Sequence, residues 1–187
     1  PPMITHRLDL ALPGEVEARV LFTGRGDAAS GGSSRWPYAW ANLASHVGDD
    51  PVSVEANRRE LARALGVPVD SMTFMHPDHG RGVHMVSEPT GIRPGAEITA
   101  VDALVTRETG IGLVALAADC VPVILVDPVA GVVGAVHSGW RGLVQDVVGA
   151  AVEVMEQAGA RGGDIAAYLG PSICGACYPV PQDRADE

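Results

Sequence analysis

The sequence predicts an α+β fold, with mixed and antiparallel β-sheets packed against helices. Short β-branched or aliphatic runs occur beside two longer stretches of helical periodicity, and the runs between residues 103 and 137 follow one another through turn residues alone. Size and composition agree. The chain has 187 residues, 47% hydrophobic and 19% charged, a globular balance that can bury roughly 70% of the unfolded surface. No internal repeat or clean linker interrupts it, so a single domain over 1–187 is expected.

Residues 4–10 and 16–22 alternate in patches around Pro13-Gly14, the pattern of a short hairpin. Residues 24–34 are rich in Gly and Ser and read as a mobile loop, either a linker or a substrate loop. Asp50-Pro51 opens a helix: Asp50 can cap, Pro51 suits the first turn, and Val54, Arg58, Leu61 and Leu65 follow at helical spacing before Gly66 and Pro68. Extended runs at 72–75 and 83–87 flank His76-Pro77-Asp78-His79-Gly80, where Pro and Gly force a turn. Strands are expected at 103–106, 113–117, 121–126 and 132–137, apolar enough to form one buried sheet. A second helix is expected over 143–158, with Leu143, Val144, Val147, Val148, Ala151, Val152 and Met155 on its apolar face, followed by a buried strand at 165–169.

A formal charge of -10 with 13 Lys and Arg argues against nucleic acid, whose affinity comes from cations that neutralise phosphates. The start of the chain shows no basic region followed by an apolar stretch, and no run of about 18 uncharged apolar residues occurs. A cytoplasmic protein with no membrane partner is expected. The cysteines Cys120, Cys174 and Cys177 form an odd set, pointing to metal binding or reactivity rather than a disulfide framework.

If 127–131 closes a hairpin, Cys120 falls opposite residue 138 and beside His137, with a one-residue bulge able to align their faces. Such a pair serves either as nucleophile and base or as two zinc ligands. The plain alternative is a small buried thiol beside a satisfied core histidine. His76, His79 and His84 are each available as a third ligand, and spacing does not choose among them. A Cys-His-His set leaves the fourth tetrahedral position open for a water whose pKa falls to about 7 on zinc. Cys174-Gly175-Ala176-Cys177 has metal or redox spacing, but no second Cys pair completes a four-thiolate site. Arg141, after Gly139-Trp140, can hold an anion or form a surface ion pair. Trp40, Trp140 and Tyr38 are candidate pocket walls.

Several phrases occur in one order: Thr23-Gly24-Arg25-Gly26, Pro37-Tyr38 with Asn42-Leu43, His46-Val47-Gly48-Asp49-Asp50-Pro51, Asn57-Arg58, His79-Gly80, Asp102-Ala103-Leu104-Val105-Thr106, Ala118-Asp119-Cys120-Val121-Pro122, His137-Ser138-Gly139-Trp140-Arg141-Gly142 and Gly170-Pro171-Ser172-Ile173. Together they resemble the YfiH family of purine nucleoside phosphorylases, formerly called laccase-like polyphenol oxidases. The resemblance implies a fold like that of the cytotoxic necrotizing toxins and selects His79, Cys120 and His137 as metal ligands and catalytic residues. It also implies zinc-dependent phosphorolysis of adenosine, inosine, guanosine and methylthioadenosine, with deamination of adenosine, so a purine nucleoside and phosphate are the expected partners. Arg141 and Arg25 become candidate phosphate contacts, and Asn42 a sugar or base contact.

Two departures stand out: Pro77-Asp78 replaces a usual Gln-Val pair, and family members continue several tens of residues past the Gly-Pro-Ser phrase. Other readings are a cysteine hydrolase using Cys120 and His137, a copper polyphenol oxidase, and a non-catalytic zinc-stabilised binding protein. Copper chemistry expects histidine-rich sites, which six scattered histidines do not suggest.

Overall fold

The computed structural model describes residues 3–12, 16–27, 29, 31–38 and 40–182. Strands β1 (Ile4–Leu12) and β2 (Val16–Thr23) form the expected antiparallel hairpin, with Leu8 opposite Val20. Its expected Pro13-Gly14 turn lies outside the described residues. The described residues of the Gly/Ser-rich stretch form no helix or named strand, yet its end is fastened. Ser34 is buried and donates to Asp49 Oδ2 at 2.6 Å, while the Ser33 N–H donates to Asn57 Oδ1 at 2.7 Å.

Helix α1 (Pro51–Leu65) begins and ends where the sequence puts it. The Asp50 carboxylate accepts from the N–H groups of Val52 and Ser53, a cap worth about 1 kcal/mol. Gly66 closes the helix at φ +81°, a left-handed cap that a β-carbon would disfavour. Its inner face sets Leu61 and Ala62 against Met72, Phe74 and Val114. Arg58 is wholly buried there, donating to Leu43 O at 2.8 Å and to Glu97 at 2.6 Å, its guanidinium 4.1 Å from the Phe74 ring centre. Pairing and multiple hydrogen bonds make that burial tolerable.

Strands β3 (Met72–Phe74), β4 (Val83–Met85), β5 (Ala103–Thr106), β6 (Gly112–Val114), β7 (Val121–Asp127), β8 (Val132–Ser138) and β9 (Ala166–Leu169) follow. Five of them build one sheet in the order β4-β5-β8-β7-β9, with β4 parallel to β5 and the other pairs antiparallel. The single sheet expected for the 103–137 runs is incomplete, because β6 leaves it to pair in parallel with β3 beneath α1. Alternation along β7 sorts two faces. Val123 and Leu125 join the core under the second helical region, while Ile124 and Val126 face the β1–β2 hairpin through Ala18 and Val20.

The helix expected over 143–158 is two helices, α2 (Trp140–Val144) and α3 (Val147–Gln157). Asp146 breaks it at φ +61° and caps α3 by accepting from Gly149 N–H. As a result, Leu143 and Val144 do not join the apolar face; they are 65% and 58% exposed. The apolar face that packs on the sheet belongs to α3, through Val147, Ala151 and Met155. Among the described residues, the strand expected to be buried at 165–169 is instead the sheet's edge, with Leu169 68% exposed, because only β7 pairs with it there. No helix among the described residues is long and apolar enough to cross a membrane.

Candidate metal centre

The β7–β8 hairpin sets Pro122 opposite His137 and Val121 opposite Ser138, one position away from the expected register. Cys120 therefore lies across from Gly139 rather than residue 138. The shift has a useful consequence: Cys120 stands two residues before the partner of His137, and an interval of two returns a side chain to the same face. No bulge is needed to align them.

The third member arrives from the loop between β3 and β4. His79, Cys120 and His137 each present a ligand atom within 4.8 Å of the others, and the two imidazoles meet edge to face with centres 4.8 Å apart. The other two histidines considered lie elsewhere. His76 stacks on His46 at 4.4 Å, and His84 is exposed on β4. His137 is buried, Cys120 half-buried and His79 exposed, so the cluster opens to solvent on the His79 side.

Asp102, just ahead of β5, organises the cluster, and sequence reasoning gave it no role. Its carboxylate is fully buried, and Oδ1 lies 2.8 Å from His137 Nδ1. The same carboxylate accepts from the N–H groups of His79 at 2.9 Å, Gly80 at 2.7 Å and Asp78 at 3.3 Å. These bonds hold His79 at φ +59°, a left-handed conformation that costs a non-glycine residue about 1–2 kcal/mol. The signal available in the sequence was a single acid leading an otherwise apolar strand. Burial pushes the Asp102 carboxyl up, but hydrogen bonds from His137, Gly80 and His79 outweigh it and leave it below the usual carboxylate range. With Nδ1 committed to Asp102, Nε2 is the ring nitrogen left for a metal, the arrangement by which a carboxylate fixes a metal-binding imidazole. Burial pushes the Cys120 thiol up, and the Asp119 and Asp102 carboxylates push it further.

The donor set fits a single ion beside Gly139. A β-carbon there would lie 3.1 Å from His79 Cδ2, 3.2 Å from Cys120 Sγ and 3.4 Å from His137 Cε1. The three side chains thus converge beside a backbone position without a side chain. Donor atoms arranged tetrahedrally on one zinc, at about 2.0–2.3 Å from it, lie about 3.3–3.6 Å apart, so side-chain rotations that draw the three inward bring this set onto one ion. One thiol and two imidazoles suit a soft or borderline divalent metal.

The other candidate residues are not drawn into this cluster. Arg141 is exposed on the first turn of α2, its guanidinium 5.1 Å from the Trp140 ring centre, beside an open cavity of about 310 Å³ lined by Trp140, Arg141, Val144 and Gln145. Arg25 is exposed and donates to Pro37 O at 3.4 Å. Asn42 is committed to its own loop: its amide donates to Ala44 O and Asp49 Oδ2, and its oxygen accepts from Ala44 N–H. The amide therefore has no spare donor for a sugar or base. Cys174 and Cys177 are exposed and stand outside the cluster.

Fold and cluster together define an α+β protein with a candidate mononuclear metal centre. The chain belongs to the YfiH family: a family model described as multi-copper polyphenol oxidoreductase laccase matches residues 19–187. A Streptomyces griseus protein named purine nucleoside phosphorylase ORF3 is 51% identical over 157 residues, covering 84% of this chain and 63% of that protein. A Corynebacterium glutamicum purine nucleoside phosphorylase is 40% identical, covering 95% of this chain and 70% of its own. The protein named adenosine deaminase RL5, from an unknown prokaryotic organism, is 41% identical over 76% of this chain and 56% of its own. The Bacillus licheniformis YfiH structure superposes with a TM-score of 0.82 at 31% identity, covering 90% of this chain and 63% of that one. The chain thus spans 63% of the Streptomyces griseus relative.

Proposed function

We propose that this chain carries the zinc centre of a purine nucleoside phosphorylase that also deaminates adenosine. The convergence of His79, Cys120 and His137 around Gly139 carries the metal part of the reading. The names of the relatives support the purine part. One thiolate with two imidazoles, open on the His79 side, is the donor pattern of catalytic zinc rather than of a closed structural site. Zinc held there supplies Lewis acidity and lowers the pKa of a water toward about 7. The protein's own part is orientation: Asp102 fixes the His137 tautomer and the loop that presents His79. Arg141 and Arg25 are the proposed phosphate contacts. Asn42, with its donors spent in its loop, would act on substrate only by holding residues 42–49 in place. Adenosine, inosine, guanosine and methylthioadenosine are the proposed substrates, in the cytoplasm, with neither nucleic acid nor membrane as partner.

The test is an assay of metal-quantified protein with adenosine, with and without phosphate, following adenine, ribose-1-phosphate and inosine. Phosphate-dependent adenine and phosphate-independent inosine are expected, with about one zinc per chain. No turnover with stoichiometric zinc would leave a zinc-stabilised binding protein; copper with phenol oxidation would replace the metal assignment. Cys120→Ala should lose zinc and activity together. Zinc retained at wild-type affinity in that variant, with a trapped thioester in the parent, would replace the proposal with cysteine hydrolysis.

A further inference from the structure

We infer that Cys174 and Cys177 form a reversible dithiol–disulfide site that exchanges with low-molecular-weight disulfides, separate from the metal centre. Both thiols are exposed, at the two ends of a single tight turn in which Cys174 caps the short helical segment Gly175–Cys177. The Cys177 N–H donates to Cys174 O at 2.9 Å. A turn closed by this i to i+3 bond keeps its end Cα atoms within about 7 Å, and a disulfide accommodates roughly 4.4–6.8 Å. Ring closure therefore needs side-chain rotation and little backbone movement.

The two thiols are chemically unequal. A hydrogen bond from the Cys177 thiol, helped by the N–H groups of Cys177 and Ala176, holds the Cys174 thiol below its usual range, while the same contact pushes Cys177 up. Cys174 is thus the attacking sulfur and Cys177 the resolving one. The Cys174 thiolate attacks one sulfur of an external disulfide RSSR, forming a mixed disulfide and releasing RS⁻. Cys177 then gives its proton to solvent and attacks Cys174 Sγ, releasing the second RS⁻. Two protein thiols are oxidised to one disulfide while RSSR is reduced to two thiols.

The backbone around the pair is anchored. Gly170 N–H donates to Pro122 O at 2.9 Å and Ile173 N–H to Asp119 O at 3.0 Å. Residues 170–173 therefore run along the segment that presents Cys120, and the dithiol turn begins one residue later.

The experiment incubates the reduced, metal-loaded full chain with excess oxidised glutathione, alkylates the remaining thiols and reads intact and peptide masses. The expected result is loss of two of the three thiols to a Cys174–Cys177 disulfide that dithiothreitol reverses. Cys177→Ser should stop at a glutathione adduct on Cys174, and Cys174→Ser should slow oxidation at Cys177 at least about tenfold. Equal metal content and circular dichroism would establish that both variants fold. Two glutathione adducts without an internal disulfide, a disulfide through Cys120, or three free thiols under conditions that oxidise free dithiothreitol would each overturn the inference.

Discussion

At Asp102 a single buried carboxylate meets four donors, the His137 ring and the N–H groups of Asp78, His79 and Gly80. An amide cannot replace it, because one of its two heavy atoms donates and would face N–H groups. Asp102→Asn should weaken zinc about 10- to 100-fold, the usual effect of losing the carboxylate behind a metal-binding imidazole, read by chelator competition. An unchanged affinity would confine Asp102 to packing. Gly139 is sensitive for a different reason. Its missing β-carbon would stand 3.1–3.4 Å from atoms of all three proposed ligands, so admitting it pushes each of them a few tenths of an ångström outward from the cluster. Gly139→Ala should reduce zinc affinity by on the order of tenfold, about 1.4 kcal/mol, with little change in the melting temperature of the metal-free protein. A matching loss of metal-free stability would place the effect in the fold instead.

The β7–β8 hairpin is where reading by pattern succeeded and where it reached its limit. Near-continuous apolar runs on either side of 127–131 located both strands, but the register depends on turn geometry, and a slip of one residue changes which face a side chain occupies. The α2–α3 break was illegible for a related reason. Apolar periodicity continues through Leu143 and Val144, while the residue that ends it, Asp146, adopts a positive φ without being glycine. Hydrophobic pattern likewise could not rank His76, His79 and His84, since what separates them is the hydrogen bonding of Asp102 to one loop. The three-residue cluster was therefore legible only with family resemblance, and its organising acid was not.

Asp127 carries this element's pH dependence. Its buried carboxylate accepts from Val129 and Ala130 N–H, closing the hairpin, and from Arg161 N–H, all at 2.8 Å. Burial pushes its carboxyl up, but the bonds from Ala130, Arg161 and Val129 prevail and hold it below the usual range. A depressed folded pKa gives stability that is present above the unfolded value of about 3.9 and lost as pH falls through the folded value. Melting curves from pH 7 to pH 3 should therefore show Asp127→Asn less stable at neutral pH, with the gap to the parent narrowing in acid. A gap constant across that range would assign the acid limb to other carboxylates.

Across the whole molecule, the proposed ligands come from parts of the chain that only the finished fold brings together. His79 hangs from the β3–β4 loop, Cys120 precedes β7 and His137 is the last residue but one of β8, while Asp102 ties the first to the last from just ahead of β5. An ion held by all three binds the folded chain far better than the unfolded one, where these residues are distant and unoriented. At free zinc about 100 times the dissociation constant, that preference adds about 2.7 kcal/mol to stability. For a chain of this size each kcal/mol moves the midpoint by about 2–4 °C, so removing the metal should lower it by about 5–10 °C. Scanning calorimetry with and without a chelator, followed by zinc repletion, measures the shift. Cys120→Ala should melt at the same temperature in both conditions, because it has no ion to lose. An equal chelator-induced drop in that variant would locate the stabilising metal elsewhere in the chain, whereas recovery of the parent alone on repletion ties the shift to these ligands.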